Sequence, residues 1–343
     1  MNRILNAIFL VFIFAFSAMF LFGVGSEDIS TIEKRQLRDV PSITNTPIAE
    51  LPDAYNEYIS DHFPLRRRLS KVMSLINYTL LGTVRSDSVA VGGNGFLFLK
   101  SEVNTNSLSD YQGTNTFSDA ELEELSESLN TLKKQCEDRG QTLIFVIVPN
   151  KEEVYSKYLP DYYKRLSSPT RLEQVTAVVK SADIILIDPS RELKAASESD
   201  DTVYFKADTH WTGKGAYICM DILLDALGIS HVPYSENTFV EGEFYESDIA
   251  NLCNLYDLYA DNRDLKAAKL LTESPVDASV SLIGDSFSWR MHEYMDACFS
   301  LVHYHTFAAD SSKLHDEASD YIIIEIVERN LGEINNVIDR CMY

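Results

Sequence analysis

The sequence predicts an α/β fold in which a mostly parallel sheet is covered by helices on both faces. Three observations predict it. Short apolar runs recur at Thr142 to Val148, Ile184 to Ile187, Val280 to Ile283, Leu301 to Tyr304 and Tyr321 to Ile326. These runs are apolar at successive positions, as strands buried on both faces must be. Helical patterns lie between them, and strands alternating with helices build parallel sheets. In such sheets ligands sit beyond the carboxyl ends of the strands. Pro149-Asn150, Asp188-Pro189, Gly284-Asp285-Ser286 and Glu325 to Arg329 fall at those ends.

The elements follow in order. Ile4 to Val24 carries no charge and is apolar apart from Asn6 and Ser17. As a helix it spans roughly 30 Å, the thickness of a hydrocarbon core. Arg3 precedes it, and Glu27 and Asp28 follow, so the positive-inside tendency leaves the N-terminus cytoplasmic and exports the rest. Two readings fit, an uncleaved anchor or a signal peptide. The length of the run favours the anchor, because the small residues from Gly23 to Ser26 make a weak cleavage site. Ser26 to Pro52 is polar and turn-rich and reads as a stalk. Leu65, Leu69, Val72 and Ile76 then recur at helical spacing, with Arg66-Arg67-Arg68 as the solvated face. The chain therefore divides into a membrane anchor or signal (1–25), a stalk with an amphipathic helix (26–85) and a main domain (86–343).

In the main domain Val89 to Leu99 forms a hairpin around Gly92-Gly93-Asn94-Gly95. Ser118 and Glu121 make a capping box before a helix whose Leu122, Leu125, Leu129, Leu132 and Cys136 alternate spacings of three and four. Thr170 and Glu173 open a second helix in the same way. Gly215 to Leu227 is a helix with Thr212 near its N-cap. Gly228 to Leu271 has a weak pattern, rich in Tyr, Asn and Asp, and reads as a loop-rich rim. Ser286 opens a helix carrying Trp289, Met291, Tyr294 and Met295, and Leu331 to Ile338 is the last helix.

The chain has 343 residues, with 30 Lys+Arg against 52 Asp+Glu and a net charge of −22. Such a surface repels nucleic acid, so a nucleic-acid partner is excluded as a working reading. The five cysteines have neither CxxC nor zinc spacing. Several read as small buried thiols, an odd number leaves at least one unpaired in a monomer, and no disulfide is assigned.

Two stretches carry chemistry. Tyr204 to Tyr217 contains Asp208, His210 and Trp211 before the helix start at Thr212, and Val280 to Arg290 ends a strand in Gly284-Asp285-Ser286. A serine becomes a nucleophile at neutral pH only when a base takes its proton and a carboxylate orients that base. Ser286 is the expected nucleophile, His210 the base and Asp208 its orienting acid. N–H groups at the helix start, with Gly284 making room, are candidate oxyanion donors. Asn150 is a second candidate donor, and Trp211 a candidate wall of the site. The competing reading is that Ser286 only caps its helix. His303 and His305 share a strand face, but nothing ties them to His210, so no metal and no cofactor are expected. Asp285 reads as fixing the turn, Trp289 as core and Arg290 as surface.

Gly284-Asp285-Ser286 after a buried strand resembles the nucleophile block of the SGNH hydrolases. The order of the blocks, serine last, and the motif Asp208-x-His210-Trp211-Thr212 are similar to the alginate O-acetyltransferase branch, the AlgJ/AlgX-like or DHHW proteins, whose SGNH-like domain is circularly permuted. Glu33 to Leu37, Tyr58 to Arg66, Gly93 to Phe98, Val148 to Tyr155 and Glu328-Arg329 also fit that pattern, while Thr209 stands where many members have His. The resemblance implies a three-layer SGNH-like sandwich behind an N-terminal transmembrane helix. It implies an extracytoplasmic O-acetyltransferase that takes the acetyl group from a membrane-bound O-acyltransferase to hydroxyls of an exopolysaccharide or cell-surface glycan. A carbohydrate acetylesterase and a non-catalytic glycan-binding or assembly protein are the alternatives.

Overall fold

The computed structural model describes residues 2–22, 29–30, 35–44, 46–103, 105–199, 202–260, 262–269, 271–308 and 319–342. The chain divides into two compact units, Met1–Thr83 and Val84–Tyr343.

The first unit holds three long helices, α1 (Asn2–Leu21), α2 (Leu51–Asp61) and α3 (Arg66–Leu81). Within α1, Arg3–Leu21 has a mean hydropathy of 2.6 and none of it is buried. By length and composition this helix can cross a membrane. Phe63, at the corner between α2 and α3, stacks on Phe16 of α1 with ring centroids 5.3 Å apart.

The second unit is a three-layer α/β/α sandwich. It opens with the predicted hairpin, β1 (Val89–Val91) and β2 (Leu97–Leu99). The central strands are β3 (Thr142–Val148), β4 (Ile185–Ile187), β7 (Val276–Gly284), β8 (Phe299–Thr306) and β9 (Tyr321–Val327), in the order β8-β7-β9-β3-β4. All of the pairings are parallel. Side chains of β3 alternate between the two faces, as the strand period of two requires. Ile144, Val146 and Val148 join one core, and Leu143, Phe145 and Ile147 the other.

On the second face pack α4 (Asp119–Asp138), α5 (Arg171–Ser181) and α9 (Ile334–Cys341), through Leu129, Val175 and Ile338. On the first face pack α6 (Ser190–Glu198), α7 (Gly213–Ala226) and α8 (Trp289–Cys298), through Leu193, Met220 and Met295. Both predicted capping boxes form, at Ser118/Glu121 and Thr170/Glu173, and Thr212 caps α7 through the Gly215 N–H. The five cysteines are buried and free.

Two expectations change. The segment from Gly228 to Leu271 is not only loop, for β5 (Phe239–Phe244) and β6 (Arg263–Ala267) pair antiparallel within it. Helix α8 begins at Trp289, with Ser288 as its N-cap, so Ser286 lies in the preceding turn rather than at the helix start. The strand order sets the ends of β7, β9 and β3 side by side, and the candidate site forms above them.

Candidate active site

The turn after β7 is built to hold Ser286 in one place. Asp285 accepts the Phe287 N–H at 2.9 Å through Oδ1. Its Oδ2 accepts the Val327 N–H at 3.0 Å and Asn330 Nδ2 at 2.8 Å, which fastens the turn to the end of β9. Gly284 is the last residue of β7, and a Cβ there would stand 2.6 Å from Ser288 Cβ and 2.8 Å from Glu325 Oε2. Only glycine fits that approach.

The opposing stretch is held as tightly. Asp208, 1 % exposed, accepts both the backbone N–H and ring Nδ1 of His210 on Oδ1, each at 2.8 Å. Its Oδ2 accepts the Asp248 N–H at 2.7 Å. Buried Lys151 donates from Nζ to the carbonyls of Phe205, Lys206 and Asp208 at 3.3, 3.2 and 2.7 Å. Trp211 Nε1 donates to the Phe287 carbonyl at 3.0 Å and locks one stretch to the other. His210 Nε2 then lies 2.7 Å from Ser286 Oγ.

The proton positions follow from the acceptors. Burial works to raise the Asp208 carboxyl, but the hydrogen bond and charge of His210 outweigh it and hold it below its ordinary range. An ionised carboxylate only accepts, so His210 Nδ1 carries the proton and Nε2 offers its lone pair to the Ser286 hydroxyl. Asp248 sits behind them. It accepts the Thr209 N–H at 2.9 Å and the Thr209 hydroxyl at 2.5 Å, and its Oδ2 is 3.7 Å from His210 Nδ1. Burial and the charge of Asp208 push it up to about 6. Ligand atoms of Asp208, His210 and Asp248 lie within 4.8 Å of one another, a set that could hold a cation. The Nδ1 proton, committed to Asp208, opposes that use.

Ser286 and His210 line a cleft of about 220 Å³ with Tyr245, Trp289, Arg290 and Tyr294. Arg290 pairs with Asp264, and its guanidinium lies 4.3 Å from the Tyr245 ring centroid. Sequence reasoning reversed two neighbours here, since Trp289 is 61 % exposed while Arg290 is fixed in the wall. Trp211 is fully buried and absent from the cleft lining, so it supports the site from below rather than walling it. Asn150, at the end of β3, is one strand further from Ser286 than β9. Its Oδ1 accepts the Arg329 N–H at 3.2 Å, and its Nδ2 is buried without a partner. Gly284 and Asp285 serve the turn. Asp248 escaped sequence reasoning, while Lys151 and Arg329 lie in stretches that fit the family pattern, Val148 to Tyr155 and Glu328-Arg329, but received no role there. Arg329 places its guanidinium 5.0 Å from the Phe287 ring centroid and within 3.5 Å of Thr209 Oγ1.

Acidic side chains are buried around this platform. Burial pushes Asp110 up to about 6 and Glu152 to about 7, and Glu325 and Glu328 well above the carboxylate range. A group raised in the fold contributes stability that is complete below its unfolded value and lost as pH rises through its folded value. Asp208, shifted the other way, acts only at lower pH. The melting temperature is therefore expected to fall as pH rises from about 5 to about 7.5, a window set by unfolded carboxylate values near 4. Calorimetry across that range checks this, and a rising melting temperature contradicts it.

Comparison with known proteins gives the family. Residues 89–297 match the family described as SGNH hydrolase-like domain, acetyltransferase AlgX. The chain is 24% identical over 225 residues to a probable alginate O-acetylase AlgJ of Azotobacter vinelandii, covering 63% of this chain and 54% of that protein. It is 22% identical over 300 residues to the probable alginate O-acetylase AlgJ of Pseudomonas putida, covering 79% of this chain and 72% of that one. This chain thus spans about half the length of the first relative and somewhat more of the second. The crystal structure of a DHHW family protein from Eubacterium siraeum shares the fold, with a TM-score of 0.50 at 12% identity over 73% of this chain and 97% of that chain. The family match extends over more than half of the sequence and spans both the Asp208-His210 and the Ser286 stretches, so the chain belongs to the SGNH hydrolase-like acetyltransferase family of AlgX.

Proposed function

We propose that this protein is an extracytoplasmic O-acetyltransferase that places acetyl groups on hydroxyls of an exopolysaccharide or cell-surface glycan, through Ser286, His210 and Asp208. The observation that carries it is the line from Asp208 Oδ1 through His210 to Ser286 Oγ, 2.8 and 2.7 Å, in a member of an acetyltransferase family. Ser286 Oγ attacks the carbonyl carbon of an acetyl ester as its proton passes to His210 Nε2. The bond from that carbon to the leaving oxygen breaks, and His210 returns the proton to it. A sugar hydroxyl then attacks acetyl-Ser286, gives its proton to His210, and leaves Ser286 free and reprotonated. Asp208 keeps the imidazolium favourable in both halves. The Ser286 N–H, which has no acceptor among the described residues, is the donor offered to the oxyanion.

The alginate O-acetylase relatives make a polysaccharide the fitting acceptor. In the same reading α1 anchors the chain with the 26–85 stalk and the 86–343 domain outside, and a membrane-bound O-acyltransferase supplies the acetyl group. Intact-mass spectrometry of the full chain in detergent, incubated with a chromogenic acetyl ester, tests the central step. Wild type is expected to gain one acetyl group and Ser286→Ala none. Equal ester turnover by the two proteins would remove Ser286 as nucleophile. Glycan binding by Ser286→Ala, with no adduct on wild type from any acetyl donor, would favour an assembly protein.

A further inference from the structure

Helix α3 is left unused by the proposed chemistry, and its surface is unlike the rest of the chain. It carries Arg66, Arg67, Arg68 and Lys71 and no acidic residue. The first 83 residues hold eight basic and eight acidic residues, so the whole net charge of −22 resides beyond them. A cluster of four cations on one helix of so acidic a protein is a local departure from its charge.

The apolar residues of α3 are displayed rather than buried. Leu69, Val72, Met73, Ile76 and Leu80 are 38, 51, 45, 40 and 77 % exposed. Their steps of three, one, three and four place them on one face of a helix. Ser74, on the far side, is 5 % exposed, so α3 turns its polar side inward and its apolar stripe outward. A five-residue apolar stripe facing water is unfavourable unless something covers it.

The position of α3 within its own unit names the cover. At the α2–α3 corner Phe63 stacks on Phe16, and Tyr58 meets Phe20 edge-on at 6.0 Å. Phe20 is in the last turn of α1 and Phe16 lies about 8 Å before its end, at 1.5 Å per residue. If α1 crosses a bilayer, this corner sits at the boundary where it emerges. A basic helix with an outward apolar face starting at that level matches a helix that lies in the plane of a membrane surface.

We infer that α3 lies along the bilayer surface, its Leu69–Leu80 stripe seated at the headgroup–acyl boundary and Arg68, exposed beside that stripe, among the phosphates of anionic phospholipid. The juxtaposition of an acid-free basic helix with the exit end of α1 carries this, and it rests on the reading of α1 as a membrane span. Anionic headgroups favour nearby basic residues, and α3 brings no acidic side chain to that surface.

The test is spin-label accessibility on the full chain in vesicles of phosphatidylcholine and phosphatidylglycerol. Because the native cysteines are buried, single labels can be placed by Val72→Cys, Ile76→Cys, Lys71→Cys and Val11→Cys. Labels at 72 and 76 are expected to be severalfold more accessible to oxygen than to a water-soluble nickel chelate, relative to the label at 71. The Val11 label reports the span independently. Oxygen preference at 11 with nickel preference at 72 and 76 would overturn the inference while leaving the span intact. Nickel preference at 11 would overturn both. Exclusion of both reagents at 72 and 76 would mean that protein covers the stripe, and would overturn it too.

Discussion

Ser286→Ala and His210→Ala are each expected to lower acetyl transfer by at least about 10⁴-fold, and the double variant to lose no more than either single one. The non-additivity is the informative part. Serine at neutral pH attacks only as its proton leaves, and here one atom, His210 Nε2 at 2.7 Å, is placed to take it. Removing either partner removes the same event, so the second removal has nothing left to take. Asp208→Asn is expected to cost a comparable factor for a different reason. All three hydrogen bonds to Asp208 come from N–H donors, two from His210 and one from Asp248. An asparagine has one acceptor oxygen and must turn its NH₂ towards one of these donors, or accept from a His210 ring that has lost the Nδ1 proton. In the second case the proton moves to Nε2 and blocks the base. Steady-state transfer, measured with calorimetry to show that each variant is folded, separates chemistry from collapse. Additive losses in the double variant, or near wild-type turnover in either single one, would sink the assignment.

The parts of this molecule that could be read in advance are those where one residue type at one spacing has few physical alternatives. A run such as Leu143 to Val148, apolar at every position, fits a strand buried on both faces, and it lies on β3 between two helical layers. Ser118-x-x-Glu121 and Thr170-x-x-Glu173 satisfy orphan N–H groups at helix starts, and both caps form. Serine often caps helices, so the sequence points to a helix start at Ser286, three residues before the helix begins at Trp289. Here the polar atoms that organise the turn are those of Asp285, whose partners Val327 and Asn330 lie more than 40 residues away. The exposure of Trp289 and the pairing of Arg290 with Asp264 depart from the sequence expectation for a related reason. Burial of an arginine depends on Asp264 and Tyr245 reaching it from the β5–β6 region, where the sequence has no strong period. Long-range partners, rather than local propensity, decide these positions. The same is true of Asp248, whose relation to His210 exists only once the segment before β6 folds back over residues 208–210.

Lys151→Met is expected to destabilise the second unit by about 3 kcal/mol and to slow acetyl transfer beyond what the lost stability explains. Lys151 is 2 % exposed and opens the short helix Lys151–Val154 directly after β3. Burial pulls its ammonium down to about 8, with Glu152, Asp248 and Asp208 opposing the fall, so it remains mainly charged at neutral pH. Its three protons go to the carbonyls of Phe205, Lys206 and Asp208. Methionine keeps most of the volume and supplies no donor, leaving those carbonyls short of a partner where water has little access. Relief from burying a charge offsets part of that cost, which is why the expected loss is closer to one broken network than to three separate bonds. The carbonyl of Asp208 has the shortest of the three contacts, 2.7 Å, so the residue that orients His210 is the one released. At a temperature where the variant is fully folded, kcat should still fall while KM for the acyl donor changes little, since Lys151 does not line the cleft. Arginine should not rescue it, because a planar fork cannot direct three protons at three carbonyls around one point. Wild-type kcat in a folded Lys151→Met protein would show that the 205–208 segment holds its shape without the ammonium, and that Asp208 is positioned by Asp248 and His210 alone.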